Sequence, residues 1–194
     1  MDQQEQRRRG NTRERIQAIA VRLFAERGYD NTSLREIAEE LGVTKAALYY
    51  HFKTKEELVT SLVGDMVRGL DAIIDWAAGQ PATPETRREV VRRFHALAFG
   101  RDDDFNRDLQ RFMQTNQQVI GERLKVGEQM RGRYEKLREI VIPPAAPAAA
   151  RLKATMSMFA LFAARGFLAD TPPREQREAA LEVALDLIAA LDPY

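Results

Sequence analysis

Residues 33–55, SLREIAEELGVTKAALYYHFKTK, constrain the fold more than any other stretch, because they read as two short helices joined by a tight turn. Ser33 followed three residues later by Glu36 is a capping box, in which hydroxyl and carboxylate each satisfy an otherwise unpaired backbone N–H. Leu34, Ile37, Ala38 and Leu41 then share one face at helical spacing. Gly42 supplies a residue able to take positive φ where that helix stops, and Thr44 is placed to cap the next. This is the layout of a helix-turn-helix, whose second helix enters the major groove of DNA.

Advancing by about 100° per residue, the second helix turns Leu48 toward the core with Val43 and Phe52 beside its ends. Ala46, Tyr49 and Tyr50 point roughly the other way. A tyrosine on such a surface offers a ring for a thymine methyl or sugar and a hydroxyl for a phosphate, and Ala46 leaves room to approach base edges. Lys45, His51, Lys53 and Lys55 surround the pair, with no acidic residue between Glu40 and Glu56. Phosphate contact is the natural use of that cluster. Taken alone, two tyrosines fit a core or domain contact and the lysines a solvated face. The capping box, glycine turn and acid-free basic cluster together favour DNA.

The stretch from Arg13 to Leu58, with LFAERGYDNTSLREIAEELGVTKAALYYHFKTKEEL at its centre, resembles the N-terminal domain of the tetracycline-repressor (TetR) family of transcriptional regulators. The likeness runs through Phe24, Gly28, Ile37, Gly42, Leu48, Phe52 and Leu58 and covers about a quarter of the chain. It implies an all-α dimer of about nine helices, with three N-terminal DNA-binding helices and a larger ligand-binding and dimerisation domain. Carried over by position, it makes Lys45, Ala46 and Tyr49 the base-reading residues, and Thr32, Ser33, Thr44, Tyr50, His51 and Lys55 the backbone contacts. The Ala46-Ala47 pair stands where the family often has a small polar residue or glycine, which leaves fewer side-chain hydrogen bonds to bases.

Punctuation along the chain predicts the remaining helices. A first helix from near Thr12 to Arg27 buries Ile16, Ile19, Ala20, Leu23 and Phe24, and Arg7, Arg8 and Arg9 form a basic arm ahead of it, either following a minor groove or serving as a solubilising tail. Thr54 with Glu57 reads as a second capping box, opening a long helix that links two domains as a lever, with the division at residues 1–53 and 54–194. Thr83-Pro84 starts the next helix. Asp102, Asp103 and Asp104 suit a helix start better than a metal site, because adjacent carboxylates point in different directions. A long amphipathic helix is expected from Asn116 to Val141, with Leu124 in its apolar stripe. The last two helices, at about 148–169 and 172–191, are apolar on more than one face. One side of them suits the domain's own core and the other a symmetry mate, so a homodimer through these helices is expected.

By resemblance, the second domain holds an effector pocket, and the candidate lining residues are Phe94, His95, Phe112, Met113, Asn116, Ile120, Met156, Phe159 and Phe162. Their composition suggests a largely apolar effector, oriented by His95, Asn116 or Gln117. The expected function is a repressor that binds a palindromic operator in double-stranded DNA and is released by a small molecule. The alternative is a helix-turn-helix regulator without such an effector, controlled by a protein partner or acting as an activator.

Composition excludes other classes. The chain has 194 residues, no cysteine and a net charge of +1, so disulfides and thiolate metal sites are ruled out and the basic signal is local rather than global. No apolar run approaches the roughly 20 residues of a membrane span, and MDQQEQRRRG lacks a signal-peptide core, so a cytoplasmic protein is expected. With no glycine-rich phosphate loop and no metal-spaced His/Glu set, neither an enzyme nor a cofactor is expected.

Overall fold

The computed structural model describes residues 3–118, 120–121, 125–168 and 170–191, with backbone alone at 3–11, 126, 129 and 165. Among the described residues there are nine helices and no strand. They are α1 (Gln3–Arg27), α2 (Leu34–Leu41), α3 (Lys45–His51), α4 (Lys55–Ala78), α5 (Pro84–Phe99), α6 (Asp103–Thr115), α7 (Val126–Val141), α8 (Ala148–Phe167) and α9 (Pro173–Ala189). Two sequence-based boundaries move. Arg7 to Arg9 lie within α1 rather than in an arm ahead of it, and their side chains fall outside the described residues. Of the single helix expected over 116–141, α7 takes only 126–141, with Lys125 at φ 48° just before it; α6 ends at Thr115, ahead of the expected start. Leu124 lies outside the described residues.

The helices form two compact units, one of residues 1–65 with 104–126 and one of 66–103 with 127–194. The division therefore falls inside α4, about three turns later than the sequence suggests, and it returns nearly all of α6 to the first unit. That assignment has a visible cause. Phe112 of α6 is fully buried, and its ring lies 5.5 Å from that of Phe24 on α1, which in turn meets Tyr29 at 5.1 Å.

In the first unit, Ile16, Ala20, Leu23 and Phe24 of α1 are buried with Leu34, Ile37 and Ala38 of α2 and Leu58 of α4. Gln17 is buried among them, and its amide donates to Ser61 Oγ at 3.0 Å and Asp65 Oδ2 at 2.9 Å. A buried amide so satisfied avoids the cost of leaving a polar group without a partner, and it fixes α1 against α4.

In the second unit, α8 packs along α9, and α5 packs on both. The buried line of α8 runs through Ala154, Ser157, Leu161 and Ala164, and that of α9 through Ala180, Ala184 and Ile188. Small residues at these spacings let two helices approach closely. Arg87 is buried on α5 and donates from one guanidinium nitrogen to the Leu191 carbonyl at 2.8 Å, satisfying an acceptor at the end of α9. Arg133 on α7 holds Asp71 on α4 through two parallel bonds of 2.8 and 2.9 Å, which lowers the Asp71 carboxyl below the usual range. No described helix is long and apolar enough to cross a membrane.

Candidate nucleic-acid interface

The turn between α2 and α3 is built as the sequence predicts. Ser33 Oγ accepts the Glu36 N–H at 3.2 Å, and the Glu36 carboxylate accepts the Ser33 N–H at 2.8 Å. The Ser33 hydroxyl also donates to the Glu36 carboxylate at 2.7 Å, and this bond foremost, with the one from the Ser33 N–H, holds the Glu36 carboxyl below its ordinary value. Gly42 takes φ 71°, a left-handed geometry that glycine adopts without strain, and the Val43 N–H closes onto the Ala38 carbonyl at 3.0 Å. Thr44 Oγ1 then accepts the Ala47 N–H at 3.2 Å and starts α3.

Two side chains hold α3 from behind. Leu48 and Phe52 are both fully buried, and the guanidinium of Arg13 lies 4.7 Å from the centre of the Phe52 ring. Truncating Leu48 to alanine would remove the main apolar contact of a seven-residue helix, at a cost of about 2–5 kcal/mol. The opposite face is open. Lys45, Ala46 and Ala47 are exposed, and Tyr50 is 61% exposed with its ring edge-on to His51 at 5.4 Å. The Lys45 ammonium sits 5.3 Å from the centre of the half-buried Tyr49 ring, so these two expected base-reading side chains form one pair a helical turn apart. Lys53 Nζ donates to the Tyr49 carbonyl at 2.5 Å, placing positive charge at the C-terminus of α3.

Two expected contacts have other duties. Thr32 is only 2% exposed, and its hydroxyl donates to the Gly28 carbonyl at 2.9 Å, so it pins the loop before α2 and is hidden from a phosphate. Lys55 Nζ donates to the Tyr29 carbonyl at 2.6 Å and lies 4.5 Å from the Tyr29 ring centre, tying the first turn of α4 to the same loop. The second capping box is modified. Thr54 Oγ1 accepts the Glu57 N–H at 3.0 Å, but the Glu57 carboxylate takes the N–H of Lys53, one residue before the expected partner. Ser33 and Thr44 are exposed caps, able to face a duplex while serving their helices.

The expected effector residues are divided between the two units. Phe112, Met113, Asn116 and Ile120 belong to the first unit. Asn116 Oδ1 accepts the Tyr29 N–H at 3.2 Å and its Nδ2 donates to the Phe112 carbonyl at 3.0 Å, so this amide is spent on the loop before α2. His95 in the second unit is half-buried, 3.2 Å from the Arg177 carbonyl and 4.8 Å from the Phe99 ring centre. Gln117 is exposed.

A pocket of about 380 Å³ does exist in the second unit, between α7 and α8. Helix α8 packs closely on α9 and α5, and the pocket opens where its residues 155–162 face residues 131–138 of α7. Of the expected residues only Phe159 and Phe162 line it, and Phe94 lies behind them with its ring 5.4 Å from Phe162. Met156 is exposed and outside the lining. Sequence reasoning missed the α7 wall, Arg131, Tyr134, Glu135 and Arg138. Their spacing of three, four and seven was the available signal, masked because the charged residues of that helix read as a solvated side.

Residues 16–62 match the family model described as bacterial regulatory proteins, tetR family. The HTH-type transcriptional regulator YerO of Bacillus subtilis is 35% identical over 86 residues, 42% of this chain and 30% of YerO. The HTH-type transcriptional repressor KstR2 of Mycolicibacterium smegmatis is 34% identical over 68 residues, 35% of this chain and 30% of KstR2. The chain thus spans about a third of the length of these relatives, which are named as regulators rather than enzymes. Among solved structures, the TetR family transcriptional regulator PfmR of Thermus thermophilus superposes with a TM-score of 0.58 at 27% identity, covering 89% of this chain and 96% of PfmR. Residues 16–62 are thus similar to the N-terminal domain of the tetR family of bacterial regulatory proteins, and the remainder shares the helical fold of such a regulator.

Proposed function

We propose that the chain is a cytoplasmic DNA-binding transcriptional regulator that works as a homodimer. In this reading it represses by occupying a palindromic operator, and a small molecule in the α7–α8 pocket releases it. The observation that carries the DNA reading is the open face of α3, where Lys45, Ala46, Tyr49 and Tyr50 stand clear of a core that fixes the helix through Leu48 and Phe52. A short helix held rigidly on one face and basic-aromatic on the other is suited to a major groove. Residues 1–53 carry this work, and residues 54–194 carry assembly and the pocket.

Assembly is supported by what α8 and α9 leave exposed. Leu152, Met156, Phe159 and Phe167 follow helical spacing along α8, opposite its buried line, and Phe167 is 84% exposed. Val183 on α9 is exposed as well, and large apolar side chains left in water in such number suit an interface. A two-fold partner presenting the same side chains would cover them. The repressor assignment draws on KstR2, which is named a repressor.

Selection from random duplexes, with sedimentation of the free protein, tests this reading. The expected result is enrichment of an inverted repeat with half-sites about 34 Å apart, one duplex turn, and a species of twice 22.1 kDa. Asymmetric winners together with a 22.1 kDa species would contradict it.

A further inference from the structure

The pocket between α7 and α8 has two unlike walls. Helix α8 contributes Thr155, Met158, Phe159 and Phe162, a stripe that is apolar but for one hydroxyl. Helix α7 contributes Arg131, Tyr134, Glu135 and Arg138, a stripe with two positive charges and one negative. Both sets follow the spacing of three, four and seven that puts residues on one helical face.

The two arginines of α7 that line the pocket differ from several arginines elsewhere in the chain. Arg22, Arg35 and Arg174 each pair with a glutamate four residues on, and Arg88, Arg92 and Arg93 pair with glutamates three or four residues before them. Arg131 has Glu135 at that same forward spacing and Arg138 has it three residues before, yet among the described residues neither forms an ion pair. Seven residues of helix separate the two guanidinium groups by about 10 Å along the axis, so both side chains can reach a point midway between them. Tyr134 occupies that midpoint. Burial raises its pKa, so its hydroxyl remains a neutral donor, and its ring rests edge-on at 6.1 Å from Phe94.

We propose that this pocket takes an amphipathic monoanion, a single carboxylate on an apolar body, with Arg131 and Arg138 holding the head and the α8 stripe covering the body. Two positive charges and one negative leave a surplus of one, which matches a singly charged head. Arginine suits a carboxylate through its planar fork of donors. A volume of about 380 Å³ lies in the range of small-molecule sites. The effector is then charged at one end, where the sequence suggested a largely apolar molecule. This inference rests on the effector reading above, and its test is independent of DNA.

Calorimetric titration of the full chain with decanoate, decan-1-ol and decylammonium, each below its aggregation limit, decides the matter. Decanoate is expected to bind about tenfold or more tighter than the alcohol, with the ammonium weakest, in line with charge-assisted hydrogen bonding to the head. R131Q and R138Q, combined, are expected to bring decanoate to within about twofold of the alcohol and leave the alcohol unchanged, with melting curves confirming the fold. Glutamine retains helix propensity, and the comparison of ligands on the unsubstituted chain stands even if a variant misfolds. Equal binding of decanoate and decan-1-ol, tighter binding of the ammonium, or binding of none of the three overturns the proposal. If operator binding survives in those cases, the regulator reading stands without it, whereas decanoate binding by a chain that ignores DNA would overturn the regulator reading alone.

Discussion

At the residue scale, the side chains around α3 divide into those that build the interface and those free to use it. Ser33, Thr44 and Gly42 were legible in the sequence because their partners lie within five residues, and local spacing encodes them. Lys55 was not. Its ammonium meets backbone oxygens of Tyr29 and Asp30, about 25 residues away, and a carbonyl partner leaves no side-chain signature. Lys55→Met is therefore expected to lower stability by about 1 kcal/mol through loss of a charge-assisted bond, while the salt dependence of DNA binding stays unchanged. Paired denaturant melts and salt titrations check this. A drop of about one in the salt slope with unaltered melting would instead make Lys55 a phosphate contact.

At the scale of elements, the helix starts were readable and the long-range partners were not. The capping box of α2 also carries a pH dependence whose sign follows from Glu36. Its carboxyl titrates lower in the folded protein than in the unfolded chain, so its contribution is complete above the ordinary carboxylate range and is lost as pH falls through the lowered value. The melting temperature should therefore decline on acidification through that window, and E36Q should start lower and show a shallower decline. Parallel slopes in circular-dichroism melts would assign the acid sensitivity elsewhere. Helix α6 shows the limit of local reading. Phe112 and Asn116 look like pocket residues on an amphipathic helix, but their partners, Phe24 and Tyr29, lie 88 and 87 residues away in the first unit. Only tertiary structure reveals that the aromatic stripe is core.

At the scale of the whole molecule, the chain combines a helix-turn-helix, with α3 held on one face and open on the other, with a second unit that has exposed apolar side chains and a two-walled pocket. The all-helical class and the helix-turn-helix were evident from spacing and capping. The pocket's charged wall was not, because charge on one side of a helix reads as solvent exposure until a second helix is seen facing it. The proposed repression depends on one claim above the others, that the Lys45–Tyr49 pair on α3 reads base edges. Competition between the selected operator and a random duplex, at fixed salt, tests it most directly. Lys45→Ala with Tyr49→Ala is expected to cut the specificity ratio by about tenfold or more, as loss of base contacts costs about 1–3 kcal/mol, while binding to the random duplex falls far less. An unchanged ratio, with both affinities reduced alike, would mean that α3 contacts only the phosphate backbone and would contradict the account.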